Sequence, residues 1–302
     1  MTLYSDPACP WAYSESPALR VIEWRYGDQL DWRLVVIGLT EDASQYVARG
    51  YTPLRGALGQ LQFRRRYGMP FAPAPKARVS ATARACRAIA AARLASPGSE
   101  WQVFRALQLA NFTTALVLDD DGQLESVLAS VPRIDAAAIV ASLDSPEVTE
   151  AYDADRAETR TAAGSAAEAQ GKTATSDGPV RFTAPSVVFE RDGLRLVAGG
   201  FQPVEAYDIL IANIDPTLDR RPPPETPAPL LEFFGDGLTT QEVAALMAEG
   251  NDPVDREAAE RALMELVAAG EAVREQLGDD ALWRSADAVA AAPRLAAVGS
   301  AA

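Results

Sequence analysis

Cys9 is the residue of this 302-residue chain whose type and setting best fit nucleophilic chemistry. It ends the run Ser5-Asp6-Pro7-Ala8-Cys9 and precedes Pro10, a residue suited to the first position of a helix. A sulfur at the helix N-cap faces unpaired backbone N–H groups, and these groups together with the helix dipole lower a cysteine pKa. Because the thiolate is the attacking form, Cys9 is predicted to be a nucleophile.

The alternative for Cys9 is a small buried apolar residue at a strand end, which is the usual environment of a free cysteine. Cys86, the second cysteine, lies in an alanine-rich run without a helix start or a cationic pocket, so core packing is predicted there. Two cysteines are too few for a secreted disulfide scaffold and suit a reducing compartment.

The second candidate for chemistry is Thr183-Ala184-Pro185, at the mouth of an apolar run that ends at Phe189. A trans proline is awkward at that position, whereas a cis bond is a deliberate turn feature; an edge proline is the other interpretation. A backbone held open there offers N–H and C=O groups to an extended substrate next to the sulfur.

Composition excludes several classes of function. The chain has no histidine, so Ser-His-Asp, Cys-His and histidine-based zinc chemistry are excluded. The formal net charge is -14, which repels phosphate backbones and anionic lipid, and nucleic acid is not an expected partner. No metal site is expected, since the run Asp119 to Asp121 has too few ligands for a calcium loop.

The elements around Cys9 place it at a strand-to-helix turn. Thr2 to Ser5 is a predicted strand, Ser16 to Tyr26 has helical periodicity, and Asp31 to Leu39 is a β-rich run. Two strands joined by a helix predict a βαβ unit with parallel strands. Residues from Ser44 to about Ala163 have a helical pattern, with four to six helices expected.

The last predicted helix of this insert begins at Ser145-Pro146-Glu147 and reaches roughly Glu168. A β-hairpin follows, with strands at Phe182 to Phe189 and Leu194 to Ala198 and a turn of about four residues at Glu190 to Gly193. An amphipathic helix is predicted from 203 to 214. The pattern is therefore β-α-β, helices, then β-β-α.

A proline-rich linker is predicted at 216–229, after which the chain outlines a second, smaller unit. Three helix candidates and two strands predict a small α+β domain that resembles a winged helix: 230–234, 239–248, 255–269, 271–276 and 281–285. Residues 227–287 hold fourteen Asp or Glu against four Arg, so a packing or dimerisation module is expected and DNA binding is not. The tail from Ala288 is expected to fray.

Residues 1–215 resemble the DsbA-like thioredoxin family in its cytosolic, FrnE-like branch, which also includes 2-hydroxychromene-2-carboxylate isomerases and kappa-class glutathione transferases. The resemblance is carried by Ser5 to Tyr13, the Ala184-Pro185 pair and the closing Leu196 to Gly200. It implies an α/β, thioredoxin-like fold with a large helical insertion at about 44–168, and a cysteine nucleophile beside a cis-proline. The residues expected to contact substrate are Pro10, Trp11, Ala12, Tyr13, Thr183, Ala184 and Pro185.

One departure from the family pattern changes the expected chemistry. Redox-active members end the motif in cysteine, whereas this chain has Ala12, so no disulfide can form across the turn. Attack by Cys9 on a disulfide would stop at the mixed disulfide until an external thiol released it. A low-molecular-weight thiol such as glutathione or mycothiol is the expected cosubstrate, and Arg64-Arg65-Arg66 is either its carboxylate anchor or a solvated helix face.

Three functions follow from the sequence. The first is a cytoplasmic, thiol-dependent oxidoreductase or transferase that acts on a small-molecule thiol or a protein thiol or disulfide. The second is a catalytically silent binding or chaperone-like protein, and the third is a redox-linked regulator that carries a winged helix. The beginning of the sequence lacks signal-peptide features, no membrane span is expected, and a homodimer is one expected assembly.

Overall fold

A computed structural model describes residues 1–250 and 252–291. The strands are β1 (Thr2–Ser5), β2 (Arg33–Val36), β3 (Thr173–Ala174), β4 (Arg181–Phe182), β5 (Ser186–Arg191), β6 (Leu194–Gly199), β7 (Leu238–Thr239), β8 (Ala272–Leu277) and β9 (Asp280–Ser285). The first helices are α1 (Pro10–Ser14), α2 (Ser16–Tyr26), α3 (Ala43–Ala48), α4 (Pro53–Tyr67), α5 (Ala83–Ala95), α6 (Ser99–Thr113), α7 (Asp121–Leu128) and α8 (Ala136–Ser142). The remaining helices are α9 (Pro146–Thr159), α10 (Ala166–Ala169), α11 (Val204–Ile214), α12 (Ala228–Phe233), α13 (Thr240–Met247), α14 (Arg256–Ala269) and α15 (Ala286–Ala291).

A four-stranded sheet of order β2-β1-β5-β6 forms the centre of the first 215 residues. Strands β1 and β2 are parallel, as the predicted βαβ unit requires, and β5 pairs antiparallel with both β1 and β6. Because side chains alternate along a strand, Leu3 and Val36 enter one apolar cluster while Tyr4 and Val35 enter another. Both faces of the sheet are therefore covered, and β1 is buried along its whole length.

The helical insert contains seven helices, α3 to α9, which exceeds the four to six predicted. The predicted start of α9 is confirmed, since the Ser145 side chain accepts a hydrogen bond from the N–H of Val148 and Pro146 opens the helix. Its predicted end near Glu168 is wrong. The helix stops at Thr159, and residues 166–169 form the separate short helix α10.

The β5–β6 hairpin is present but its turn is tighter than predicted. The strands extend through Arg191 and from Leu194, so only Asp192 and Gly193 form the turn. Both residues have positive φ, 49° and 83°, which is the backbone that a two-residue hairpin turn requires. The sequence predicted a four-residue turn because Glu190 and Arg191 are charged. In the structure these two residues belong to β5 and pair with Arg195 and Leu194.

The C-terminal elements lie where the sequence predicted them, with one addition. Helices α12, α13 and α14 and the β8–β9 hairpin are all present, and the short strand β7 joins the hairpin in a three-stranded sheet of order β7-β9-β8. The identification of this unit as a winged helix stays a prediction. The predicted frayed tail begins inside helix α15, and residues 292–302 lie outside the described residues.

The segment predicted to be an extended linker packs against helix α2 instead. The Arg221 N–H donates to the carbonyl of Arg25 at 2.8 Å, and the Trp24 indole N–H donates to the carbonyl of Pro222 at 2.9 Å. The Arg221 guanidinium also lies 4.4 Å from the Trp24 ring centroid. The segment is therefore held against α2 by a hydrogen bond in each direction and by a cation–π contact.

Within the described residues, no helix has the length and apolarity to cross a membrane.

A buried ion pair joins the helical insert to the C-terminal unit. Arg105 on α6 donates to both carboxylate oxygens of Glu242 on α13, at 2.8 and 2.9 Å, and to the carbonyl of Gly237 at 2.6 Å. Burial acts to raise the pKa of Glu242, but the attraction of Arg105 outweighs it and lowers that pKa to about 2. Glu242 also accepts a bond from Ser16 on α2. One charged pair therefore fixes three parts of the chain together.

We expect Arg105→Met to lower the free energy of unfolding by about 3 to 5 kcal/mol, because it leaves the Glu242 carboxylate buried without its partner. The double variant Arg105→Met/Glu242→Gln should lose less, since it removes both charges of the pair. Arg84→Met is the matched control: its pairs with Asp121 and Asp144 are exposed, and its loss should cost under about 1 kcal/mol. Urea unfolding measures all three, and equal losses at positions 84 and 105 would contradict the expectation.

Candidate active site

The carboxyl group of Asp6 holds the turn that leads from β1 to Cys9. One oxygen accepts from the N–H of Ala8 at 2.9 Å, and the other accepts from the N–H of Leu39 and the hydroxyl of Thr82, both at 2.9 Å. The Asp6 carbonyl accepts from the N–H of Cys9 at 3.1 Å. The turn is thus fixed to the end of β2 and to the start of α5.

Cys9 is the N-cap of helix α1, and Pro10 is the first helical residue, as the sequence predicts. The Cys9 sulfur donates to the carbonyl of Ala184 at 3.2 Å, and the peptide bond between Ala184 and Pro185 is cis. The cysteine is only 6% exposed. The two predicted motifs, which lie 175 residues apart, therefore meet at the sulfur.

The expectation of a lowered cysteine pKa is contradicted. Burial raises the pKa of Cys9 to about 12; the N–H groups of Ala12 and Trp11 oppose this rise, while the nearby Asp6 adds to it. The helix N-terminus acts in the predicted direction, but removing the sulfur from water is the larger effect. At neutral pH the resting group is a thiol that donates its proton to the Ala184 carbonyl.

A cleft of about 890 Å³ opens from Cys9 toward the helical insert. Cys9, Pro10 and Trp11 line one side, and residues of the α3–α4 region line much of the rest. Trp11 is 43% exposed and packs edge-on against Phe63, with ring centroids 4.9 Å apart. The cleft volume is within the range of small-molecule sites.

The charged residues that line the cleft are all cationic: Arg49, Arg55, Lys76, Arg78 and Arg181. Arg78 is paired with Asp119 and Arg181 with Asp177, neither of which lines the cleft. Among the described residues, the other three cations form no ion pair. The cleft of this acidic protein is therefore suited to an anionic ligand.

Lys76 is the cleft cation with the most altered acidity. Burial lowers the pKa of its ammonium to about 8, and the nearby Asp119 opposes the shift. The ammonium donates to the side-chain carbonyl of Asn111 at 2.9 Å and to the backbone carbonyl of Leu116 at 2.5 Å. It is mostly charged at neutral pH, and the cleft loses this positive charge as the pH rises through 8.

The predicted site residues do not all lie at the cleft. Cys9, Pro10 and Trp11 line the cleft, and Ala184 and Pro185 lie at the sulfur. The Thr183 hydroxyl donates to the carbonyl of Lys172 at 3.0 Å.

Ala12 and Tyr13 do not line the cleft. Ala12 is buried and borders a second cavity. The Tyr13 ring stacks on Phe112 at 4.7 Å, and its hydroxyl donates to the carbonyl of Pro70 at 2.8 Å. Tyr13 is thus a core residue here, because helix α1 turns its side chain toward the insert.

The run Arg64-Arg65-Arg66 lies outside the cleft lining, so the structure does not support its role as a carboxylate anchor. Arg64 pairs with Asp279 at 2.7 Å. The sequence did not point to Arg49, Arg55 and Lys76 because they lie in separate segments and form no motif. No local signal marks them as neighbours of Cys9.

Within the described residues, no group of three or more histidine, cysteine, aspartate or glutamate side chains could hold a metal ion. The groups that meet at this site are the Cys9 sulfur, the backbone carbonyl of Ala184 beside it and the cations of the cleft.

Residues 1–163 match the family model of the DsbA-like thioredoxin domain, and the chain belongs to that family. A candidate protein disulfide isomerase from Nitrosomonas europaea is similar at 18% identity and a TM-score of 0.53, covering 70% of this chain and 95% of that one. A candidate DsbA oxidoreductase from Streptomyces coelicolor is similar at 18% identity and a TM-score of 0.53, and the match covers 72% of this chain and 89% of that one. The cytosolic disulfide reductase DsbM from Pseudomonas aeruginosa matches at 20% identity and a TM-score of 0.48, and the match covers 70% of this chain and 97% of that one.

The first two solved structures, with TM-scores of 0.53, support the fold of the part of the chain that they cover. None of the curated proteins matches the chain at a significant level. The finer assignment to a FrnE-like branch stays a prediction.

We expect iodoacetamide to modify Cys9 more slowly at about pH 8 than it modifies a free cysteine, because burial holds the pKa near 12. The rate should rise about tenfold per pH unit up to at least pH 10. Cys86, fully buried in α5, should stay unmodified and so report that the chain is folded. Mass spectrometry of the two peptides measures both sites, and a Cys9 rate that levels off below about pH 9 would refute the raised pKa.

Proposed function

We propose that this protein catalyses thiol–disulfide exchange with an anionic, low-molecular-weight thiol through the single cysteine Cys9. The observation that supports this most strongly is the meeting of three features at one point. The sulfur lies at the helix N-cap, beside the carbonyl that precedes Pro185, and at the inner side of a cationic cleft. Membership in the DsbA-like thioredoxin domain family is in agreement with thiol chemistry.

The proposed exchange conserves atoms and electrons. The Cys9 thiol loses its proton to solvent, and its thiolate attacks one sulfur of a bound disulfide. The new bond joins that sulfur to Cys9, the old S–S bond breaks, and the released thiolate takes up a proton. Because position 12 is alanine, a second molecule of thiol must attack the mixed disulfide to regenerate Cys9.

The cations of the cleft favour one of the two thiols that the sequence suggests. Glutathione has two carboxylates, whereas mycothiol has no charged group on its sugar portions. Arg49, Arg55 and Lys76 form no ion pair among the described residues, so they are available to a carboxylate. A thiol with carboxylates is therefore the proposed cosubstrate.

The raised pKa of Cys9 favours a second candidate function. With a pKa of about 12, roughly one chain in 10⁵ holds the thiolate at pH 7, so exchange from the resting state is slow. A protein that binds the thiol in the cleft without reacting would show the same geometry. The transferase and regulator hypotheses, the cytoplasmic location, the homodimer and the domain limits stay predictions of the sequence.

Treatment with glutathione disulfide should add one glutathionyl group to Cys9, and the rate should rise about tenfold per unit between about pH 7 and pH 9, as the thiolate fraction does. Intact-mass spectrometry follows the adduct. Cys9→Ser is the matched control and should gain none. If Cys9 stays unmodified at pH 9 while the unfolded chain reacts, the exchange proposal fails and the binding function is favoured.

The double variant Arg49→Gln/Arg55→Gln should weaken glutathione binding by about tenfold or more, because two uncompensated cations leave the cleft. Arg65→Gln/Arg66→Gln removes the same charge from exposed positions outside the cleft lining and should change the affinity by less than about twofold. Isothermal titration of both variants and the parent gives the comparison. Equal weakening in the two variants would mean that only the overall charge matters.

A further inference from the structure

We propose that the protein has a second ligand site, which takes a neutral, planar aromatic molecule with a carbonyl acceptor. The site is a cavity of about 500 Å³ between helix α2, helix α6 and the segment 233–236 of the C-terminal unit. It shares no lining residue with the Cys9 cleft. The proposal does not depend on the proposed exchange activity.

Five aromatic side chains line this cavity, together with aliphatic, polar and charged residues. Trp32 and Trp101 meet edge to face, with ring centroids 6.0 Å apart, and Phe104, Phe233 and Phe234 are the other three aromatic residues. Aromatic walls of this kind offer both faces and edges to a flat ring system. The cavity volume lies within the range of sites for molecules of two or three rings.

The charged groups at the cavity are balanced by their neighbours, which argues against an anionic ligand. Arg20 binds Glu23 at 2.8 Å and Asp236 at 2.6 Å. Arg105 binds Glu242 at 2.8 Å and Asp236 at 3.0 Å. Two guanidinium groups thus face three carboxylates. An added anion would meet a net negative environment, so a neutral molecule is favoured.

Two buried donors at the cavity lack a hydrogen-bond partner within the described residues. They are the side-chain amide nitrogen of Gln108 and the indole nitrogen of Trp32. Gln108 is only 5% exposed, so its amide is largely removed from water. A buried donor without an acceptor is unfavourable, and a ligand carbonyl would satisfy it. The proposed ligand therefore carries a carbonyl group as its hydrogen-bond acceptor.

The cavity also reaches the base of the reactive helix. Ala12 lines it, whereas Cys9, Pro10 and Trp11 line the separate cleft. The small side chain of alanine leaves this end of the cavity open. The departure from the family motif at position 12 thus contributes to the space available for the ligand.

The probe for this site is 9-fluorenone, a neutral tricyclic ketone, and ligand-observed NMR with the full-length protein measures its affinity. Fluorene, which lacks the carbonyl, and 9-fluorenone-4-carboxylate, which adds a negative charge, should each bind about tenfold more weakly. Protein alkylated at Cys9 should bind 9-fluorenone as tightly as the untreated protein. This arm separates the second site from the exchange activity.

Gln108→Leu should weaken 9-fluorenone binding about tenfold and leave fluorene binding unchanged, because it removes the donor and keeps an apolar wall. Gln170→Leu, at an exposed position, is the matched control and should change neither affinity. Thermal unfolding of Gln108→Leu checks its fold. If that variant does not fold, Trp101→Leu replaces it and should weaken the binding of both 9-fluorenone and fluorene.

Four results would overturn the proposal. The first is the absence of 9-fluorenone binding up to its solubility limit, and the second is that fluorene or the carboxylate binds as tightly as 9-fluorenone. The third is loss of 9-fluorenone binding on alkylation of Cys9, and the fourth is unchanged 9-fluorenone binding in a folded Gln108→Leu variant. None of these results depends on whether Cys9 forms a mixed disulfide.

Discussion

The Asp6 carboxyl group, three residues before Cys9, fixes the turn that places the Cys9 sulfur. It accepts bonds from Ala8 in its own turn, from Leu39 after β2 and from Thr82 before α5. A buried acceptor with several donors holds one geometry, because any displacement leaves polar groups without partners. The turn, the central sheet and the helical insert are therefore positioned by one side chain. The contact between the sulfur and Ala184 depends on that placement.

Two effects of opposite sign act on the Cys9 thiol, and the balance between them shapes the proposed chemistry. The first-turn N–H groups of helix α1 favour the thiolate, as expected for a cysteine at an N-cap. Burial favours the neutral thiol and is the larger effect, so the pKa rises to about 12. The carbonyl of Ala184 then receives the thiol proton. Burial of the sulfur at the cis-proline turn thus keeps it protonated at rest.

The charge of the whole chain and the charge of its cleft have opposite signs. The formal net charge is -14, yet every charged residue that lines the cleft is cationic. Such an arrangement concentrates the positive potential where a ligand would lie, while the rest of the surface repels other anions. The C-terminal unit, which the buried pair of Arg105 and Glu242 holds against the insert, completes the second cavity through Phe233 to Asp236. Both cavities are therefore products of how the parts of the chain pack.

The sequence alone determined the local elements and the likeness to the DsbA-like thioredoxin domain. Pro10 at a helix start, Ser145 as an N-cap and the alternating apolar strands are set by interactions between residues near one another in the chain. The tertiary structure decided what needs distant neighbours: the burial that reverses the expected shift in the Cys9 pKa, and the packing of Tyr13 into the core. It also brought cations from separate segments, such as Arg49 and Lys76, into one cleft. Solvent exposure and charge proximity depend on contacts across the whole fold, and no local pattern encodes them.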